Sequence, residues 1–258
     1  MRQRRNEPID QALRAIMDDD ASALSRLIDA GLPVDSADSS GAPLMFFCVE
    51  GRLQCLAMLL RLGAPPAQRC PDGSTPAMRA ARTCPASFAI LASASDPWAD
   101  EDKQGNNVLH QASMAQSPHG LLAMRHAVEA APHACLHAVN TQGMNPLACA
   151  CRLDNDRALR LLLPRSDPLS RNPLTGRSPL AYCIEHDRPL CARILWDIPG
   201  ALGQSVDNLS MLAWAISLCG SHRSAWPWLA GKIATAEREA LLLDQHIEPA
   251  SRSSSGRL

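Results

Sequence analysis

A chain of 258 residues that is 46% hydrophobic and 20% charged has the composition of a folded protein and excludes wholesale disorder. Its formal net charge of −1 leaves no electrostatic footprint for nucleic acid or an anionic membrane. Met1-Arg2-Gln3-Arg4-Arg5 runs into polar sequence with no apolar leader, and the longest apolar run, Met211 to Cys219, is too short to span a bilayer. The expectation is a cytoplasmic protein whose ten cysteines are reduced.

In chain order, residues 1–7 read as a basic tail. Ile9, Leu13 and Ile16, then Leu24, Leu27 and Ile28, stand at helical spacing and predict a first helix pair. A tight turn followed by a short apolar helix then recurs. It reads Gly41-Ala42-Pro43-Leu44, Gly73-Ser74-Thr75-Pro76-Ala77, Gly105-Asn106-Asn107-Val108-Leu109-His110, Gly143-Met144-Asn145-Pro146-Leu147 and Gly176-Arg177-Ser178-Pro179-Leu180. A worn copy is Asn208-Leu209-Ser210-Met211-Leu212. Glycine admits the left-handed turn, Thr, Ser or Asn caps the helix, and Pro suits its first position. From the Pro slot, copies lie 33, 32, 38, 33 and 32 residues apart. The long interval places extra residues in the fourth copy: a helix over 118–131, then an added turn over 132–137. Pro85 is expected to open a second helix in the third copy. Trp196 and Trp214 are expected in the core, with one of Trp226 and Trp228 exposed. Residues 249–258 read as a disordered tail.

A period near 33 with a Thr-Pro-Leu-His-like helix start resembles the ankyrin repeat. The resemblance implies an all-α ankyrin-repeat solenoid of about seven helix pairs with short finger loops and terminal capping helices. It spans 8–248: a cap at 8–34, repeats at about 35–67, 68–99, 100–137, 138–170, 171–202 and 203–231, and a cap helix at 233–247. In that phase Cys48, Cys149, Cys151 and Cys183 fall in inner helices, and Cys55 and Cys191 share an outer-helix slot, as small core residues do. His110 takes the slot whose histidine joins neighbouring repeats, a structural role.

Chemistry-bearing motifs are absent: there is no Walker loop, dinucleotide fingerprint, nucleophile elbow or zincin motif. His119, His126, His133 and His137 form the best histidine group. His133 and His137 share a helical face, but no third ligand is evident, so no metal or other cofactor is expected. The expectation is a non-catalytic module that sequesters or inhibits a folded protein partner, monomeric on its own. The Arg-rich, Lys-poor composition suggests a bacterial antidote or regulator. The alternatives are a bacterial effector delivered into a host cell and, last, an enzyme with an unrecognised or metal-dependent site. The family's concave wall maps here onto Glu50, Asp72, Arg82, Asp102, Lys103, Gln104, Met114, Gln142, Arg152, Thr175, Arg177, Glu185 and His186.

Overall fold

The structure is a computed structural model that describes residues 3–207, 209–221, 228–235 and 238. It is mostly helical and divides into two compact units, Met1–Ile198 and Pro199–Leu258. The first unit is built from helix pairs: α1 (Gln3–Met17) with α2 (Ala21–Asp29), α3 (Leu44–Cys48) with α4 (Leu53–Arg61), and α5 (Pro76–Thr83) with α6 (Pro85–Ala94). Then come α7 (Val108–Ala112) with α8 (Pro118–Ala130), an additional short helix α9 (His133–His137), α10 (Pro146–Arg152) with α11 (Asp156–Leu162), and α12 (Pro179–Glu185) with α13 (Pro189–Trp196). First helices pack in the order α1, α3, α5, α7, α10, α12, and second helices in the order α2, α4, α6, α8, α11, α13. The unit is thus two layers of short helices. Its core of Leu, Ala, Met and Cys lies between them: Leu44, Leu59, Met78, Leu109, Met124 and Leu147 are fully buried.

Helix starts follow local chemistry. Thr75, Ser117, Asn145 and Ser178 each accept an amide from their own first turn, and a proline fills the following position. Pro85 opens α6, and α8 and α9 occupy the expected extra segment. Two starts differ from expectation. The first helix begins at Gln3, inside the stretch read as a basic tail. Pro43 is the cap of α3 rather than its first residue, because the Leu44 amide donates across the turn to Ser36 O at 2.9 Å.

Between pairs the same small loop is built five times. In each, one residue X donates its amide to a carbonyl four or five residues on and accepts the amide of the loop glycine. The X residues are Asp38, Cys70, Asp102, Asn140 and Asn172, with Gly41, Gly73, Gly105, Gly143 and Gly176 as their partners. Such a turn strands further backbone N–H groups, which need an acceptor. Asp38 supplies it to Ser40 N (2.9 Å) and Ala42 N (2.8 Å), Asp102 to Gln104 N (2.8 Å) and Asn106 N (2.9 Å). Asn140 serves Gln142 N (3.0 Å) and Met144 N (3.1 Å), and Asn172 serves Leu174 N (2.8 Å). Cys70 is the exception: its thiol is a weak acceptor, and Asp72 serves Ser74 N (2.9 Å) instead.

Successive loops are bonded to each other. Lys103 N donates to Asp72 O and Thr141 N to Gln104 O, both at 2.9 Å, and Asn172 Nδ2 donates to Gln142 O at 2.9 Å. A second set of joints lies at the turns inside the pairs. Asp19 and Asp154, at φ of 50° and 51°, turn their carboxylates onto the second helix of the following pair. Asp19 accepts from Cys55 N at 3.0 Å, and Asp154 from Cys191 N at 2.8 Å.

In the second unit, strands β1 (Ser205–Val206) and β2 (Leu209–Ser210) pair antiparallel and lead into α14 (Met211–Ser221), and 228–235 is helical. Trp196 in the first unit and Trp214 in the second are buried, and Trp228 is half-buried. Trp226, most of the expected cap helix at 233–247 and the tail at 249–258 lie outside the described residues. Nine cysteines are free thiols, seven of them buried; the side chain of the tenth, Cys219, lies outside the description.

Two substitutions test the loop geometry. Gly63 and Gly73 share a left-handed φ, +87° and +85°, yet a Cβ at Gly63 meets nothing within 4 Å, whereas one at Gly73 comes within 2.9 Å of Lys103 N. Both alanine variants should lose about 1–2 kcal/mol to left-handed strain, and Gly73→Ala about 1–3 kcal/mol more because the next loop must move. Equal urea midpoints for the two would contradict the loop-to-loop contact. Cys70→Asn, which copies the Asn140 loop, should raise stability by about 0.5–1 kcal/mol, read from the same urea curves.

Candidate interaction surface

The first-helix layer carries a set of exposed and half-buried polar side chains that span neighbouring pairs. Beyond α3, Glu50 receives Arg79 of α5: Nη2 lies 2.5 Å and Nε 3.1 Å from Glu50 Oε1. The same guanidinium lies over the ring of Phe46, 5.1 Å from its centroid. Arg82 reaches Met114, beyond α7, with Nη1 4.0 Å from Sδ. On α10, Arg152 Nη1 donates to Gln142 Oε1 at 3.3 Å; its Nε is buried with no hydrogen-bond partner. On α12, Glu185 accepts from Arg177 Nε at 3.1 Å, and Tyr182 stacks on His186 with centroids 4.1 Å apart and planes 12° apart. Below Arg177 opens a pocket of about 300 Å3 lined by Met144, Asn145, Ser170, Asn172, Pro179 and Tyr182.

The sequence-predicted residues divide accordingly. Glu50, Arg82, Met114, Gln142, Arg152, Arg177, Glu185 and His186 lie in or beside these contacts. Lys103 and Gln104 use their backbones in the loop joints and expose their side chains. Thr175 is exposed and accepts from Arg177 N at 3.3 Å. The acids differ: Asp102 binds its own turn and also accepts from Gln111 Nε2 at 2.8 Å, while Asp72 binds Ser74 N and Ser74 Oγ. Burial works against charge at Asp38 and Asp72, but hydrogen bonds from Ser40 and Ser74 outweigh it and hold both below the ordinary carboxylate range. Sequence reasoning missed Phe46, Arg79 and Tyr182. Helical spacing held the signal, since Phe46 lies four residues before Glu50, Arg79 three before Arg82 and Tyr182 four before His186.

Burial pushes the Cys149 thiol up to about 11 and Cys55 up to about 12, which makes both poor nucleophiles. Among the described residues no group of three or more His, Cys, Asp or Glu side chains is placed to hold a metal ion. None of the described helices is long and apolar enough to cross a membrane.

His110 is fully buried and joins two pairs. Nε2 lies 2.8 Å from Met144 O and therefore carries the proton, so Nδ1 accepts from Asn107 N at 3.2 Å. Asn107 Oδ1, also 2.8 Å from Nδ1, is held by the Leu109 and His110 amides. Burial lowers the His110 pKa below its usual 6.5, despite the Met144 carbonyl and the Asp102 charge.

No protein-family model matches the chain, and no curated protein matches it in sequence.

Because the folded pKa of His110 is depressed, its contribution to stability is intact above the unfolded value and is lost as pH falls below it. His110→Ala should cost about 2–4 kcal/mol near neutral pH, through the lost bond to Met144 O, an unsatisfied Asn107 amide and a cavity. It should also flatten the decline in stability between about pH 7 and pH 5. A variant with the same pH slope as the parent, in urea unfolding across that range, would contradict the buried neutral ring.

Proposed function

We propose that the chain is a degenerate ankyrin-repeat solenoid and works as a non-catalytic module that binds, and thereby sequesters or inhibits, a folded protein partner. The observation that carries the reading is the repeated loop: the same hydrogen-bond frame five times, X positions 32, 32, 38 and 32 residues apart, each followed by a short helix pair. Repeats of this kind hold a row of side chains at fixed spacing, which favours recognition of an extended, rigid surface. The row offers charges of both signs. Exposed pairs such as Arg177–Glu185 and Arg79–Glu50 contribute only about 0–1 kcal/mol to folding, so they can be exchanged for partner groups at little cost.

Arginine predominates toward α10 and α12, with Arg152, Arg177 and the half-buried Arg188, which favours an acidic patch on the partner. The pocket beneath Arg177 has an apolar wall of Met144, Pro179 and Tyr182, a fit for one anchoring side chain at the centre of the contact. A bacterial antidote or regulator of a neighbouring protein fits this description.

The test is comparative affinity capture with the parent chain and the double variant Arg152→Glu, Arg177→Glu from the native host extract. The specific partner should be held by the parent and lost by the double variant, with affinity reduced by several kcal/mol where the charges are desolvated, at unchanged circular dichroism. A partner held equally by both would move the binding surface elsewhere.

A further inference from the structure

Helix α9 is the element that the other helix pairs lack, and its two faces have different surroundings. Inward, Leu136 is fully buried, Cys135 Sγ donates to Trp98 O at 3.5 Å, and the Cys135 carbonyl accepts from Asn107 Nδ2 at 2.9 Å. Pro132 precedes the helix in extended conformation, and Ala138 N closes the last turn on Ala134 O at 2.9 Å. These contacts fix both the axis and the rotation of a helix only five residues long.

Outward, one turn apart, stand His133 and His137. Their Nε2 atoms are 3.2 Å apart, and their rings are tilted by 36° with centroids at 4.3 Å. Two neutral imidazoles at this distance can share one N–H···N bond. With the proton of each ring on Nδ1, both Nε2 lone pairs are left available to a shared ion. Two nitrogens that each lie about 2.0–2.1 Å from a tetrahedral zinc ion are separated by about 3.3 Å. The pair therefore meets the chelating distance without a change of rotamer, on a backbone fixed from below.

We propose that His133 and His137 form a two-imidazole chelate for a borderline divalent transition ion, with Zn(II) as the ion of choice and the remaining positions held by water. Imidazole nitrogen suits zinc, copper and nickel and does not suit calcium or magnesium. Because the described residues add no third protein ligand, the site is open and exchangeable, unlike the closed four-ligand sites that hold structural zinc. The inference is argued from α9 and does not need the protein-binding reading, although His137 also lines the pocket beneath Arg177.

The experiment is isothermal titration of Zn(II) into the full reduced chain, together with imidazole nitrogen spectra of the same samples. One ion should bind per chain and perturb the His133 and His137 rings. His133→Ala and His137→Ala should each weaken binding by about tenfold or more, because each removes half of the protein donor set. His137→Gln, which keeps a polar side chain in the helix, should lose binding in the same way. Circular dichroism should be unchanged, since His133 is exposed and His137 is half-buried at the edge of a pocket, outside the core. An absence of binding at millimolar Zn(II), leaving only the ring-to-ring hydrogen bond, would overturn the proposal. So would zinc binding that survives the double variant His133→Ala, His137→Ala.

Discussion

A tight turn between two helices exposes more backbone amides than it has carbonyls to receive them, and that deficit organises the first unit of this chain. Asp38, Asp102, Asn140 and Asn172 fill it with side-chain oxygens, and Asp72 does so where Cys70 stands in the equivalent position. Once the local amides are satisfied, the outermost ones are free to face the adjacent turn, and Lys103 and Thr141 use them to grip the preceding loop. Asp19 and Asp154 do the corresponding work at the turns inside the pairs, by capping a helix of the following pair. Coupling between pairs therefore rests on polar joints as well as on the thin core of Leu, Ala and Cys. His110, bonded to Met144 beyond α9, carries that coupling across the longest interval in the repeat.

The same economy shapes the candidate surface. Asp72 and Asp102 are committed to turns, which leaves the arginines, Lys103, Glu50 and Glu185 as the charges a partner meets. Each of those acids is already paired with an arginine, so a partner must offer a better arrangement of charge. Specificity, more than raw affinity, is what such a surface supplies.

Much of the helical pattern was legible because its signals are local. Thr75-Pro76, Asn145-Pro146 and Ser178-Pro179 each join a capping side chain to a residue preset for a first turn. The added helix at 133–137 showed itself as an interval of 38 residues where its neighbours have 32 or 33. The acceptor residues of the loops were not legible. They stand three residues before the loop glycine in three copies and four before it in another, while in the Cys70 copy the acceptor is Asp72, directly before the glycine. Asp102 read as a binding residue for the same reason: an acid on a loop tip looks alike whether it faces a partner or its own backbone. Cross-pair contacts such as Arg79 with Glu50 join residues 29 apart in sequence, beyond the reach of spacing within one copy.

The loops are bonded to each other and form a fixed platform. Native-state hydrogen exchange at the Lys103 and Thr141 amides reads this directly. Both amides should exchange only through openings that also release the adjacent helices, with protection approaching that of the α5 and α10 core. Exchange at the rate of a solvated loop, with those helices still protected, would contradict it.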